Sequence, residues 1–161
     1  MKICRVPLRP GPAHVRDGAT IVETAIVFPV FLMFLFAIIE FGHAFMCTAT
    51  LTAAAKDGAR YGSVDGVTTQ QVIDRVKARI NGAFKSSKAT VIVKDAATYE
   101  SSSTNPANVN VTNLPNIELN TTDTRHLFII RVTVPYDQVA IMPPFWAKGL
   151  TLRGDSVMRH E

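Results

Sequence analysis

Gly18-Ala19-Thr20-Ile21-Val22-Glu23 runs straight into an apolar stretch over residues 24–39, and this junction decides the architecture of the chain. No charged residue occurs in 25–39, and residues 21–45 hold only Glu23, Glu40 and His43 as ionisable groups. A helix over residues 19–39 rises about 31 Å at roughly 1.5 Å per residue, against a bilayer hydrocarbon core of about 30 Å. The run is too long for an ordinary surface helix and predicts a membrane span. A carboxylate at the edge of such a segment is costly, which marks Glu23 as a functional residue by default.

On the N-terminal side, residues 1–18 carry Lys2, Arg5, Arg9 and Arg16 against Asp17 alone, which is +3 of the chain's +4. The positive-inside rule keeps this leader cytoplasmic and sends everything after Phe45 out of the cytoplasm. Only +1 remains for residues 19–161, and no basic stripe with interleaved aromatics occurs there, so nucleic acid is not an expected partner. The leader holds three prolines and two glycines without apolar periodicity and should be extended. Cys4 lies in the leader and Cys47 just past the span, so the exported part has no disulfide framework. Cys47 reads as a small buried apolar residue.

On the C-terminal side the helical signal continues. Residues 44–61 are alanine-rich, and Leu51, Ala55, Gly58, Ala59 and Gly62 are spaced for one small-residue face. The expectation is one helix over residues 19–62, spanning in its first half and stopped by Gly62. Pro29 should loosen it locally by removing the hydrogen bond to the Ala25 carbonyl. A linker over 63–67 precedes a capping-box pattern at Thr68 and Gln71, after which Val72, Ile73, Val76, Ile80 and Phe84 recur at helical spacing. Asn81-Gly82 should end this second helix, with Asp74, Arg75, Lys77 and Arg79 on its solvated faces. Residues 89–95 read as a short strand. Residues 96–108 read as a long polar loop, with Val109 and Val111 as an optional weak edge strand. Residues 127–136 form the strongest strand, with Phe128, Ile130, Val132 and Val134 on one face. Residues 150–160 form another, with Leu150, Leu152 and Met158 inward. The fold class is therefore α+β. A long N-terminal transmembrane helix continues into a small exported domain, residues 63–161, whose second helix packs on a short antiparallel sheet.

Position gives the junction its chemistry. Gly18 stands after a basic leader and before an apolar helix, where a peptidase at the cytoplasmic face has access, and glycine lets the backbone extend and approach closely. Cutting there makes Ala19 the new N-terminus. When such helices pack side by side, the Ala19 ammonium of one subunit and Glu23 of its neighbour supply each other's counter-charge and fix the axial stagger, a register device. Glu40 reads as the outer lipid boundary and His43 as a headgroup-zone residue. Their Glu-x-x-His pattern resembles half of a carboxylate-bridged metal site, but matching ligands from other helices are missing, and His14, His126 and His160 are scattered. Ala53, Ala54, Ala55, Gly58, Ala59 and Gly62 suit close helix packing, within a filament or beneath the protein's own sheet. The apolar loop Ile141-Met142-Pro143-Pro144-Phe145-Trp146 reads as folded over its own core, with subunit docking as the alternative. No nucleophile elbow, phosphate loop, cysteine metal framework or carboxylate pair points to catalysis, a metal or a cofactor.

These residues resemble a known family. Gly18 with Glu23 and the Pro29-containing helix look like a TadE-like pseudopilin of the Tad (tight adherence, Flp-type) pilus system. The likeness continues in Ile39-Glu40-Phe41-Gly42-His43-Ala44-Phe45 and in Leu51-Thr52-Ala53-Ala54-Ala55-Lys56-Asp57-Gly58-Ala59-Arg60-Tyr61. It returns in Val132-Thr133-Val134-Pro135-Tyr136 and in residues 150–159, and leaves roughly 64–124 unmatched. The residue after the glutamate, often aromatic in such pseudopilins, is Thr24 here. The resemblance implies cleavage after Gly18 by a prepilin peptidase. It also implies a minor, non-catalytic role beside other Tad pilins and the inner-membrane assembly platform. Two other classes compete. One is a secreted binding or adhesion protein with a signal peptide cut after Ala44, although an h-region is typically only about 7–15 residues long. The other is an envelope protein that keeps its anchor.

Overall fold

The computed structural model describes residues 17–100 and 109–161. Residues 1–16 of the basic leader, with Cys4 and His14, lie outside the described residues, as do residues 101–108. The first helix, α1, is Asp17–Gly62, with Pro29 inside it. Contacts divide the chain into Met1–Ala37 and Ile38–Glu161. In the first unit, the side chains described from Thr20 onward are almost all exposed, including Ile21, Ile26, Phe28, Phe31 and Phe34. This apolar, unburied segment makes α1 long and apolar enough to cross a membrane.

The second unit uses the other end of α1 as a core element. Ala44, Cys47, Leu51, Ala54, Ala55 and Ala59 are buried at helical spacing. Helix α2, Thr69–Asn81, starts on the expected capping box: the Gln71 N–H donates to Thr68 Oγ1 and the Thr68 N–H to Gln71 Oε1. It buries Val72, Val76 and Ile80. Strands β1 (Thr90–Asp95), β2 (Leu127–Pro135) and β3 (Thr151–Arg159) form one antiparallel sheet in the order β1-β2-β3. Phe128, Ile130, Val132 and Val134 are fully buried on the face that meets the helices, as their alternation required. Opposite them in register stand Met158, Ser156, Gly154 and Leu152.

Close approach explains the small residues. A Cβ on Gly154 would fall against the backbone of Leu51 and Thr52, so α1 lies directly on β3. A Cβ on Gly58 would meet the Val76 side chain, and one on Gly62 would come within 3.0 Å of both Leu119 and Val72. The Arg75 side chain ties α2 to α1 through Asp57 at 3.0 Å and lies over the Tyr61 ring.

Three local expectations change. Leu150 is exposed and lies outside β3, and Met158, though on the inner register, stays at the sheet's exposed end; only Leu152 is buried. Val109 and Val111 form no strand. Val111 starts the short 3-10 turn Val111–Asn113, braced by the Asn110 side chain accepting from the Thr112 N–H. Its buried side chain joins Ala96, Leu114 and Ile129 in a second cluster on the sheet's other face. There Arg131 and Asp155, paired across β2 and β3, make a two-pronged ion pair at 2.8 Å. That bond, more than the remaining influences on it, holds the Arg131 guanidinium above its ordinary pKa.

Candidate functional site

Two carboxylates on α1 frame the functional question. Glu23 lies in the first unit, exposed, on a helix face shared with Thr20, Thr24, Val27, Phe28 and Phe31. These side chains line an open concavity of about 310 Å³. Spacing by three and four residues puts them in one row, so the carboxylate stands at the end of an aromatic groove. The Thr24 hydroxyl is turned back onto the Thr20 carbonyl at 2.8 Å and does not serve Glu23. Among the described residues, Glu23 has no hydrogen-bond or ion-pair partner. Gly18 is in the first turn of α1 with nothing within 4 Å of where its Cβ would be. Ala19 belongs to the same turn, and its side chain lies outside those described. Pro29 is exposed. Gly58 and Gly62, by contrast, are buried within the second unit against α2 and the sheet.

Glu40 is the opposite case. It is only 2% exposed. Its Oε1 accepts from the backbone N–H of Phe145 at 3.0 Å and of Ala147 at 2.8 Å, and its Oε2 accepts from Trp146 at 3.2 Å. Three successive N–H groups thus converge on one carboxylate, the arrangement by which backbone turns hold anions. The Glu40 carbonyl accepts from the Tyr136 hydroxyl at 3.0 Å. Burial, reinforced by the Glu40 charge and then Cys47, pushes the Tyr136 phenol above its ordinary pKa and keeps it a donor. Asp137 holds the far end of the loop, accepting from the Gly149 N–H at 3.0 Å, where a φ of 75° calls for glycine.

Glu40 is therefore buried rather than solvent-facing, and is the internal clamp of the 141–147 loop. The sequence carried one clue. Glu40 is in phase with Ala44, Cys47, Leu51 and Ala54, the buried face of α1. What it clamps was invisible locally, because the donors lie more than 100 residues away. The loop is fixed by its backbone and buries Ala147, but Ile141 and Phe145 are not folded over the core, being 76% and 77% exposed.

His43 is half-buried, 3.3 Å from the Tyr136 hydroxyl and 3.6 Å from Cys47 Sγ. Cys47 itself is buried, as a small apolar residue would be. His126 pairs with Asp95 at 2.9 Å, and His160 is buried elsewhere. Among the described residues no three metal-binding side chains come together. The Glu40–His43 pair is absorbed by hydrogen bonds within the fold.

An unburied apolar helix leading into a helix-backed three-stranded sheet defines an α+β protein with a helix long and apolar enough to cross a membrane. Residues 18–60 match the family model described as TadE-like protein, so the resemblance carried by Gly18, Glu23 and the following helix is shown over that segment. The match opens at Gly18 and ends two residues short of the end of α1. No curated protein and no solved structure matches the chain. The matched family is one of Tad pilus components, a structural, non-enzymatic kind of protein. Its one apolar N-terminal helix is compatible with a single-pass membrane anchor.

Proposed function

We propose that this protein is a minor pilin-like subunit for assembly of a Tad (Flp-type) pilus. It is made with a leader over residues 1–18 and cut after Gly18 by a prepilin peptidase at the cytoplasmic face of the bacterial inner membrane. Helix residues 19–62 then anchor it, and residues 63–161 form the exported, periplasmic domain that the assembled pilus carries outward. Partners are the peptidase, the other Tad pilins and pseudopilins, the assembly platform and membrane lipid.

The observation that carries this reading is the pairing of a family match beginning at Gly18 with an exposed Glu23 on an apolar helix, without a partner among the described residues. A carboxylate in that setting calls for a counter-charge, which a neighbouring molecule can supply. The ammonium that cleavage creates at Ala19 of a neighbouring subunit is the nearest chemistry that supplies it. Gly18 also suits the peptidase. First-turn residues of a helix lack intrahelical partners for their N–H groups, so the backbone around Gly18 unwinds cheaply, and no side chain obstructs it.

Intact mass and N-terminal sequencing of protein recovered from cell membranes test the reading. A mature chain starting at Ala19 is expected. A start at Phe45 would make it a secreted protein, and an uncut chain a permanent anchor; either result overturns the proposal.

A further inference from the structure

We propose that the loop clamped by Glu40 is a membrane-interface element: Ile141, Phe145 and Trp146 enter the headgroup level of the bilayer that α1 crosses. This rests on the reading that residues 19–39 span a membrane.

Placement comes first. Glu40 directly follows the uncharged run 25–39, and three hydrogen bonds of 2.8–3.2 Å tie residues 145–147 to it. The backbone of residues 145–147 is thereby held against the first charged residue after the apolar run. Composition comes second. Residues 138–147 contain no charge, and Lys148 follows, exposed and long enough to reach a phosphate while its stem stays apolar. Phe145 and Trp146 stack edge to face at 4.8 Å, and aromatic rings of this kind are enriched where bilayer meets water. Phe41 and Phe45, 53% and 78% exposed, continue the apolar surface on the helix beside Glu40.

The third observation, which favours lipid, is that the donors of residues 145–147 are already spent. Lipid offers few hydrogen bonds, so an element that enters it must satisfy its own backbone. Here the N–H groups of 145, 146 and 147 all point inward to Glu40, and Pro143 and Pro144 have none. From residue 143 to 147 no backbone donor is left for outside use. The same bonds keep the Glu40 charge out of the apolar surface.

Trp146 is the chain's single tryptophan, so its fluorescence reports on this loop alone. The full chain is reconstituted in phosphatidylcholine vesicles, and flotation is measured alongside emission. Lipid brominated close to the headgroup is expected to quench most of the Trp146 emission, and lipid brominated at the chain ends much less. The double variant Ile141→Asp with Phe145→Asp, which alters exposed side chains but keeps the Glu40 bonds, should float and melt like the parent while losing that quenching. Protein that floats with Trp146 unquenched by either lipid overturns this inference and leaves the spanning helix standing. Emission shielded from bromolipid but shifted by self-association would assign the loop to a neighbouring subunit, and also overturns it. Protein that fails to float overturns both.

Discussion

Glu23 and Glu40 sit on one helix, each amid apolar neighbours, and the protein treats them in opposite ways. Glu40 is consumed: 2% exposed, with three backbone N–H groups on its oxygens. Glu23 is left exposed on its apolar face, with no partner among the described residues. A charge whose hydrogen bonds are all met internally stabilises its own fold, whereas one left unmet in an apolar setting is available to another molecule. On the proposed reading, the two positions separate folding from assembly along a single element.

Exchanging each carboxylate for its amide should break the comparison in opposite directions, with the largest effects of any substitution. Glu23→Gln is expected to abolish pilus formation, seen by electron microscopy, while the thermal unfolding midpoint of the detergent-solubilised protein stays at the parent's. Glu40→Gln should lower that midpoint and speed hydrogen exchange at the amides of 145–147. Its amide presents one acceptor oxygen, and its NH2 faces donors. If Glu23→Gln also lowers the midpoint, or Glu40→Gln does not, the division of labour is wrong.

Two glycines sharpen it further. Gly154→Ala forces a methyl group against the Leu51–Thr52 backbone, which cannot yield as a side chain would. It should cost about 3 kcal/mol in chemical denaturation, at the upper end of overpacking effects. Gly18→Ala meets nothing within 4 Å and should leave stability unchanged while slowing removal of the leader, read by pulse-chase mass shift. The smallest effect concerns the capping box. Thr68→Ala removes the oxygen that accepts from the Gln71 N–H and should destabilise by about 1 kcal/mol, with assembly unaffected.

Much of the candidate site was legible because it is local. Gly18, Glu23 and the apolar run lie within one short stretch, and the family match covers the same residues. The Glu40 clamp was not legible, although the phase of Glu40 with Ala44, Cys47 and Leu51 pointed it inward. A helical period says that a residue is buried but not what meets it. Val111 failed for a related reason. Its alternation with Val109 suited a strand, yet the Asn110 side chain offered the backbone a competing turn, and the turn won.

The sequence by itself determined α1, the capping box of α2 and the inward face of β2, since each follows from spacing within one element. Only the tertiary structure decided that Gly154 would lie against the α1 backbone, that Arg131 would meet Asp155, and that Glu40 would hold the 145–147 loop. Those contacts join residues far apart in the chain. They depend on strand register and on how the loops close, which no local periodicity encodes.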